Sequence, residues 1–502
     1  MSAPRSAALS YGLALAAGAL LACAFAPLNV WPLAALCPAV LMWLWDGGEP
    51  RRAAWNGFYF GAGTFGLGTW WLYISVHGFG GAPIWLTLVI VLGLVGIMAA
   101  YHALLGYAVA RYLPERGPWR YLVGLPSLWL LLEWWRGWFL SGFPWLSLGY
   151  TQTDTWLKGF APITGIYGIS ALLLVGSGAL LSLLHGPAPA RKRALAVLLL
   201  PWPLGALLGL INWTHAAGAP VTVAILQGAI PQDLKWQADN VDPTRELYTA
   251  LNEQALGAQL IVWPESALPQ LANEVPEYLG QLYSRARLHG SDIVMGIIRA
   301  DESDNYYNSI MTLSDRVSFY SKHHLVPFAE YFPVPSFIRS WLRLMNLPYS
   351  DFTAGAAAQP AVAAAGTSLS LSICYEDAYP SAGLPALAAA RVLVNVTNDA
   401  WFGRSWARYQ HFQIARMRAI EAQRPLVRAA NDGVSALVGE RGQVLAQAGE
   451  FQRTVLRGTV QPRAGLPPYA RVGNALIVVL ALLGTGIALA REPRRWRRRP
   501  PP

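Results

Sequence analysis

The chain has 502 residues, of which 54% are hydrophobic and only 13% charged, with 22 Trp and a formal net charge of +10. An ordinary soluble domain carries about 25% charged residues, so about half of the usual charge is missing. Only Asp46, Glu49, Glu115, Glu133 and Asp154 occur in the first 212 residues, out of 28 Asp and Glu in the whole chain. That excludes a wholly soluble protein, and the ordinary composition of residues 214–468 excludes a wholly intramembrane one.

A hydrocarbon core about 30 Å thick needs about 20 apolar helical residues. Eight windows of that kind run 8–27, 30–46, 56–77, 84–110, 120–137, 160–185, 193–213 and 472–490. The expected domains are therefore seven transmembrane helices over 1–213, an external domain over 214–468, and an eighth transmembrane helix with a basic tail over 469–502. Arg5, Arg51 and Arg52, Arg111, Arg116 and Arg120, Arg191 to Arg193, and the six Arg between 491 and 499 all fall in alternate connections. Basic loops stay cytoplasmic, so both termini are expected inside and residues 214–468 outside. The tail supplies about half of the net charge as a membrane anchor, which leaves little for a nucleic-acid partner. Glu133 and Arg136, three apart on one helix, are expected to pair, with a lipid phosphate as the alternative partner of Arg136. Cys23 and Cys37 read as buried structural thiols; Leu20 to Cys23 resembles a lipoprotein processing box, a reading set aside because such runs are common in apolar helices.

Beyond residue 214 the pattern becomes mixed α/β. Strands are expected at 221–226, 258–263, 292–298, 306–313, 316–322, 367–374 and 391–397, helices at 243–256, 276–289 and 405–422, and paired strands between 426 and 460. The sequence has no Gly-rich phosphate loop and no metal-ligand spacing, since the adjacent His323 and His324 would face apart in a strand. No metal and no organic cofactor is expected.

Three polar residues stand at ends of these apolar strands, where α/β folds open their sites. Glu265 follows Leu-Ile-Val-Trp-Pro, Lys322 follows Val-Ser-Phe-Tyr-Ser, and Cys374 follows Leu-Ser-Leu-Ser-Ile. Singly, each is an ordinary surface charge or core thiol. Together they supply acyl transfer: a cysteine nucleophile, a base to take its proton, and a cation that, with the Tyr375 backbone N–H, stabilises an oxyanion.

The order Glu265, Lys322, Cys374, within Trp-Pro-Glu-Ser, Lys-His-His-Leu-Val-Pro-Phe-Ala-Glu, Ile-Cys-Tyr-Glu and Asn-Asp-Ala-Trp-Phe-Gly, resembles the carbon-nitrogen hydrolase (nitrilase) superfamily. With eight spans and the Trp-rich stretch from Leu131 to Trp145, the chain resembles its membrane branch, the apolipoprotein N-acyltransferases. The resemblance implies a nitrilase-like αββα sandwich on the periplasmic face of a bacterial inner membrane. It also implies transfer of an acyl chain from a phospholipid to the α-amino group of the diacylglyceryl-cysteine of an apolipoprotein. Carried over, Cys374 is the nucleophile, Glu265 the general base and Lys322 the oxyanion cation. Glu330 matches the family's second active-site glutamate, Tyr375 and Glu376 the pair after its cysteine, and Trp236, Asn308 and Trp401 positions around the site. Ala329 stands where the family often has Gly, which puts the backbone before Glu330 in question.

Val334, Phe337, Ile338, Trp341, Leu342 and Met345 recur at helical spacing, as in a lid that dips into the membrane or a helix packed on its own domain. The alternative functions are a membrane-tethered amidase or nitrilase acting on a small substrate and a non-enzymatic polytopic lipid-binding or transport protein.

Overall fold

The computed structural model describes residues 6–113, 116–185, 187–331 and 352–491. The expected lid at 332–347 and the arginines at 494–499 lie outside the described residues. The chain divides into two compact units, one of Met1–Tyr73, Ala82–Ile211 and Val472–Pro502, the other of Ile74–Gly81 and Asn212–Arg471.

The first unit is helical. Its helices are Ala7–Ala22, Leu33–Leu44, Pro50–Gly68, Ile84–Tyr112, Leu125–Arg136, Ala161–His185, Ala188–Leu199 with Pro201–Leu208, and Ala475–Ala490. Two helical stretches, Ile84–Tyr112 and Trp156–Leu184, are each 29 residues and apolar enough to cross a membrane; Ala7–Ala22, Leu33–Leu44 and Ala475–Ala490 are shorter apolar helices. The window 56–77 is not one helix. Pro50 starts the helix, Thr69 caps it with its hydroxyl donating to the Phe65 carbonyl at 2.6 Å, and Ile74–Gly81 belongs to the other unit. The window 193–213 is broken by Pro201, which offers no N–H to the turn before it. Helices pack at glycines: a Cβ on Gly63 would lie 2.2 Å from the Leu15 carbonyl oxygen, and one on Gly57 2.1 Å from that of His102. Small residues of this kind let apolar helices approach closely where lipid offers no hydrophobic drive.

The connection after Arg136 is irregular yet buried from Phe143's neighbour Pro144 through Thr153. Backbone without a ladder survives in such surroundings only when its polar groups are satisfied. Arg136 does this, donating to the carbonyls of Phe143 and Trp145 at 2.6 Å each and to Ser147 Oγ at 3.2 Å. Glu133 Oε1 accepts from the Leu148 N–H at 3.1 Å. The pair thus braces the loop, a role the sequence did not show. Removing Arg136 strands the buried Trp145 carbonyl, at about 1–3 kcal/mol, and leaves the part-buried Phe143 carbonyl without this donor. Arg136→Ala should therefore lower the melting temperature in detergent by several degrees and open residues 139–160 to proteases; an unchanged melt and digest would contradict the brace.

In the second unit, β2 (Val221–Gln227), β3 (Leu260–Val262), β4 (Asp292–Ala300), β5 (Tyr306–Leu313), β6 (Ser318–Ser321) and β13 (Thr454–Val460) form one six-stranded sheet in the order β13-β2-β3-β4-β5-β6. The strands β7 (Val362–Ala364), β8 (Thr367–Ile373), β9 (Val392–Thr397), β10 (Leu426–Ala430), β11 (Ala436–Val438) and β12 (Val444–Gln447) form the second, ordered β12-β11-β10-β9-β8-β7. Starting from β13 or from β7, each sheet reads antiparallel, parallel, parallel, antiparallel, antiparallel, so the two sheets repeat one topology. Central strands are apolar on both faces, as parallel strands buried on both sides must be. Val221, Val223 and Ile225 meet Leu369, Leu371, Ile373, Val392, Val394 and Val396 between the sheets. On the other faces, Ala224 and Leu226 pack with Tyr248, Leu251, Leu279 and Leu282 of the helices Val241–Ala255 and Pro276–Leu288. Leu426 and Val438 pack with Ala415 and Ala419 of Ala407–Ala422. The layers are α, β, β, α. Short β7 and a two-stranded pair, β1 (His215–Ala216) with β14 (Arg463–Ala464), were not expected from the sequence.

Candidate active site

Glu265 follows β3, Cys374 follows β8 and Asn398 follows β9, so the ends of parallel strands from both sheets converge. This is where open α/β sheets place their sites. Lys322 directly follows β6, and its N–H still donates to the Asn308 carbonyl at 2.8 Å.

Lys322 is 1% exposed, and its Nζ lies 2.9 Å from Glu330 Oε1 and 3.6 Å from Glu265 Oε1. Burial opposes its charge, but Glu330 and then Glu265 outweigh that and hold the ammonium above the usual lysine range. Asn308 Nδ2 joins the two carboxylates, at 2.7 Å from Glu265 Oε1 and 2.9 Å from Glu330 Oε1. The second oxygens are also held: Glu265 Oε2 accepts from the Asn398 N–H at 2.9 Å, and Glu330 Oε2 from the Val326 N–H at 2.8 Å. Every charge here is paired and hydrogen-bonded, as burial demands.

Cys374 is half-buried, and burial, followed by the negative charge of Glu265, pushes its thiol above the ordinary range, while the positive charge of Lys322 opposes the shift. At rest it is a thiol, so any attack by its sulfur would need a base to take the proton as the bond forms. Its φ is +50°, a left-handed conformation that costs a non-glycine residue about 1–2 kcal/mol.

Glu376, also carried over from the resemblance, proves to be a clamp. Its Oε1 accepts from the N–H groups of His323 at 2.8 Å and His324 at 3.3 Å; its Oε2 accepts from Ile373 N–H at 2.8 Å and the Tyr320 hydroxyl at 2.9 Å. One carboxylate thereby ties the backbone beside Cys374 to the backbone beside Lys322. Tyr375 is half-buried and its ring meets Tyr379 edge-on. Trp236 is half-exposed, and Trp401, partly buried, contacts Phe79 while its carbonyl accepts from Ser75 Oγ at 2.8 Å. The loop Ile74–Gly81 therefore packs beside the Asn-Asp-Ala-Trp-Phe-Gly segment. Ala329 has ordinary backbone; the left-handed residue is its neighbour Phe328, with φ +66°. His323 and His324 do not face apart in a strand, because β6 ends at Ser321 and the chain turns; their rings meet at 4.7 Å, and His324 stacks on Tyr379 at 3.9 Å.

Sequence reasoning missed three contributors. Lys235 is 1% exposed and donates to the Glu265 carbonyl at 3.1 Å; burial brings its pKa down to about 8, against the pull of Glu265 and Asp432. The Asn398 N–H could not be foreseen from residue type. Gly296 lies beneath Glu265, where a Cβ would fall 2.5 Å from Glu265 Cα. Gly296→Ala should therefore displace the carboxylate and reduce activity by more than tenfold with the fold retained; full activity would show that Glu265 is not rigidly placed.

Residues 17–180 match the family model described as the apolipoprotein N-acyltransferase N-terminal domain, and residues 222–465 match that of carbon-nitrogen hydrolase. An apolipoprotein N-acyltransferase of Methylococcus capsulatus is 39% identical over 96% of this chain and 96% of its own, and one of Pseudomonas putida is 40% identical over 95% and 96%. The chain belongs to the apolipoprotein N-acyltransferase family. Its second unit has the nitrilase-like carbon-nitrogen hydrolase fold, and its first is the family's helical N-terminal region. Among solved structures, the C. elegans NitFhit protein gives a TM-score of 0.38 at 20% identity, over 49% of this chain and 62% of that one.

Thiol reactivity tests the electrostatics. Because Cys374 is raised above the ordinary value of about 8.5, its alkylation by iodoacetamide should still be climbing at pH 9. Lys322 lowers that pKa, so Lys322→Met should raise it further and slow alkylation at every pH below it. A plateau near pH 7, or faster alkylation of the variant, would contradict this charge distribution.

Proposed function

We propose that the chain is an apolipoprotein N-acyltransferase working through a Cys374 thioester, with Glu265 as base and Lys322 as oxyanion cation. The observation that carries this reading is one buried cluster in which Lys322 lies against both Glu265 and Glu330, with charges that act on the Cys374 thiol. In the first half-reaction, Cys374 Sγ attacks the ester carbonyl of a phospholipid as Glu265 takes the thiol proton. The oxyanion forms against Lys322 and the Tyr375 N–H. The C–O bond then breaks, and Glu265 returns the proton to the lysophospholipid alkoxide. In the second, the α-amino group of a diacylglyceryl-cysteine attacks the thioester. Its C–N bond forms, the C–S bond breaks, and the amine proton passes through Glu265 to the thiolate. An α-amine with a pKa of about 7.7–8.0 is partly neutral at working pH, which suits that step. In each proton transfer the net charge of the cluster is conserved, so a buried site need not separate charge.

Supporting positions follow. Glu330 holds Lys322, Asn308 spaces the two carboxylates, Glu376 fixes the backbone, and Trp236 and Trp401 belong to the surroundings of the site. Both substrates are bilayer lipids, which explains the apolar first unit. The proposed topology is eight spans in a bacterial inner membrane, with both termini cytoplasmic and residues 214–468 periplasmic. The support is the alternation of basic loops, the two 29-residue apolar stretches and the shorter apolar helices.

The test uses purified protein, a phospholipid labelled in its acyl chain and a diacylated lipopeptide. The original should yield a triacylated peptide, and Cys374→Ser should lose at least about a thousandfold. Product from the serine variant at the original rate would sink the thioester scheme. Release of free labelled fatty acid without lipopeptide acylation would favour a hydrolase.

A further inference from the structure

Behind the nucleophile lies a second buried charge cluster that the reaction above does not use. The helix Ala407–Ala422 carries His411, which is fully buried. Its Nε2 lies 3.1 Å from the backbone carbonyl oxygen of Cys374, and its Nδ1 lies 2.8 Å from Asp399 Oδ1. Arg428, on the helix-facing side of β10, reaches Asp399 Oδ2 at 3.0 Å, His411 Nδ1 at 3.0 Å, Asn395 Oδ1 at 2.6 Å and Asp377 Oδ2 at 3.3 Å. Thr397 Oγ1 donates to Asp399 Oδ1 at 3.0 Å.

A carbonyl oxygen only accepts, so Nε2 carries the hydrogen in this contact. That holds whether Nδ1 donates to Asp399 or accepts from Arg428. The consequence lies in the peptide plane. In a trans peptide the C=O of one residue and the N–H of the next point in opposite directions. Holding the Cys374 oxygen toward the helix Ala407–Ala422 therefore aims the Tyr375 N–H to the other side, where the thiol packs against the core between the sheets. The left-handed φ of +50° at Cys374 makes the plane's orientation costly, so something must hold it. Glu376 fixes the preceding Ile373 N–H, and the following carbonyl accepts from His411 Nε2 at 3.1 Å, with Asn395 Nδ2 a longer, weaker donor at 3.5 Å.

We propose that His411, oriented by Asp399 and Arg428, is a positioning residue that aims the Tyr375 N–H at the oxyanion of the acylation step. The assignment rests on Cys374 as the nucleophile, and it extends that reading to a side chain that touches neither substrate nor thiol. A loosened peptide plane withdraws one oxyanion donor, a loss typically of ~10²- to 10³-fold in rate. Alkylation of the thiol forms no oxyanion and should not depend on that plane.

The experiment therefore compares two rates at Cys374, acyl-enzyme formation from labelled phospholipid without acceptor and alkylation by iodoacetamide. The variants are the near-isosteric His411→Met and His411→Gln. The methionine variant, folded by its melting curve, should acylate ~10²-fold or more slowly while alkylation changes by less than about threefold. The glutamine variant, whose amide can still donate to the carbonyl, should acylate within about tenfold of the original. Equal loss of both rates means a merely structural role and overturns the proposal, as does unchanged acylation in the methionine variant. If the methionine variant is not recovered folded, His411→Gln alone decides: a fall of about two- to tenfold in acylation with intact alkylation supports the proposal, and unchanged acylation or an equal loss of both rates overturns it. If the original protein bears no label on Cys374, the nucleophile assignment fails instead.

Discussion

One buried ammonium organises the site. Lys322 Nζ sits in the interior between Glu330 and Glu265, and neither carboxylate would be tolerable there without it. Breaking a buried pair of this kind by removing one partner typically costs about 3–5 kcal/mol, because the remaining charge is stranded. The same ammonium is the group that lowers the Cys374 thiol against burial and Glu265. One charge therefore both balances two buried carboxylates and draws the thiol down, and Asn308 extends its reach by spacing the two carboxylates.

The fold concentrates these groups through its repeated topology. Each sheet has a parallel trio, and the ends of β3, β8 and β9 deliver Glu265, Cys374 and Asn398 to one place. Glu265 accepts from the Asn398 N–H, so a residue after one sheet is fixed by a residue after the other. Glu376 does the same between β8 and the turn after β6. The polar groups are cross-braces between layers whose apolar packing sets only their approximate positions. Cys374 is braced twice, by Glu376 in front of its backbone and by the Asp399–His411–Arg428 cluster behind it.

The fold was largely legible because its signals are periodic or compositional. The strand at 306–313 was read to the residue, and the helices at 241–255 and 276–288 to within two, since apolar strands and amphipathic helices announce themselves locally. Glu265, Lys322 and Cys374 were legible as polar residues at ends of apolar strands. What escaped was long-range or backbone in nature. Lys235 is thirty residues from the carbonyl it contacts, the Asn398 N–H carries no residue-type signal, and Gly296 matters through a Cβ it lacks. Arg428 did leave a trace, since a charge inside the apolar strand Leu426–Ala430 has to be paired, but residue type alone does not single out Asp399 and Asp377 as its partners. The early break after Gly68 and the buried loop braced by Arg136 were hidden because hydropathy reports composition, not where a helix stops.

The central claim is that the Lys322 charge makes Cys374 competent for acylation. Lys322→Met paired with Glu330→Gln removes one charge of each sign and so leaves the net charge of the cluster unchanged. Mass spectrometry of the Cys374 peptide after incubation with phospholipid, without acceptor, measures the claim directly. The original protein should carry a hydroxylamine-sensitive acyl group, and the folded double variant should carry none. Acylation of the double variant at the original rate would contradict the account.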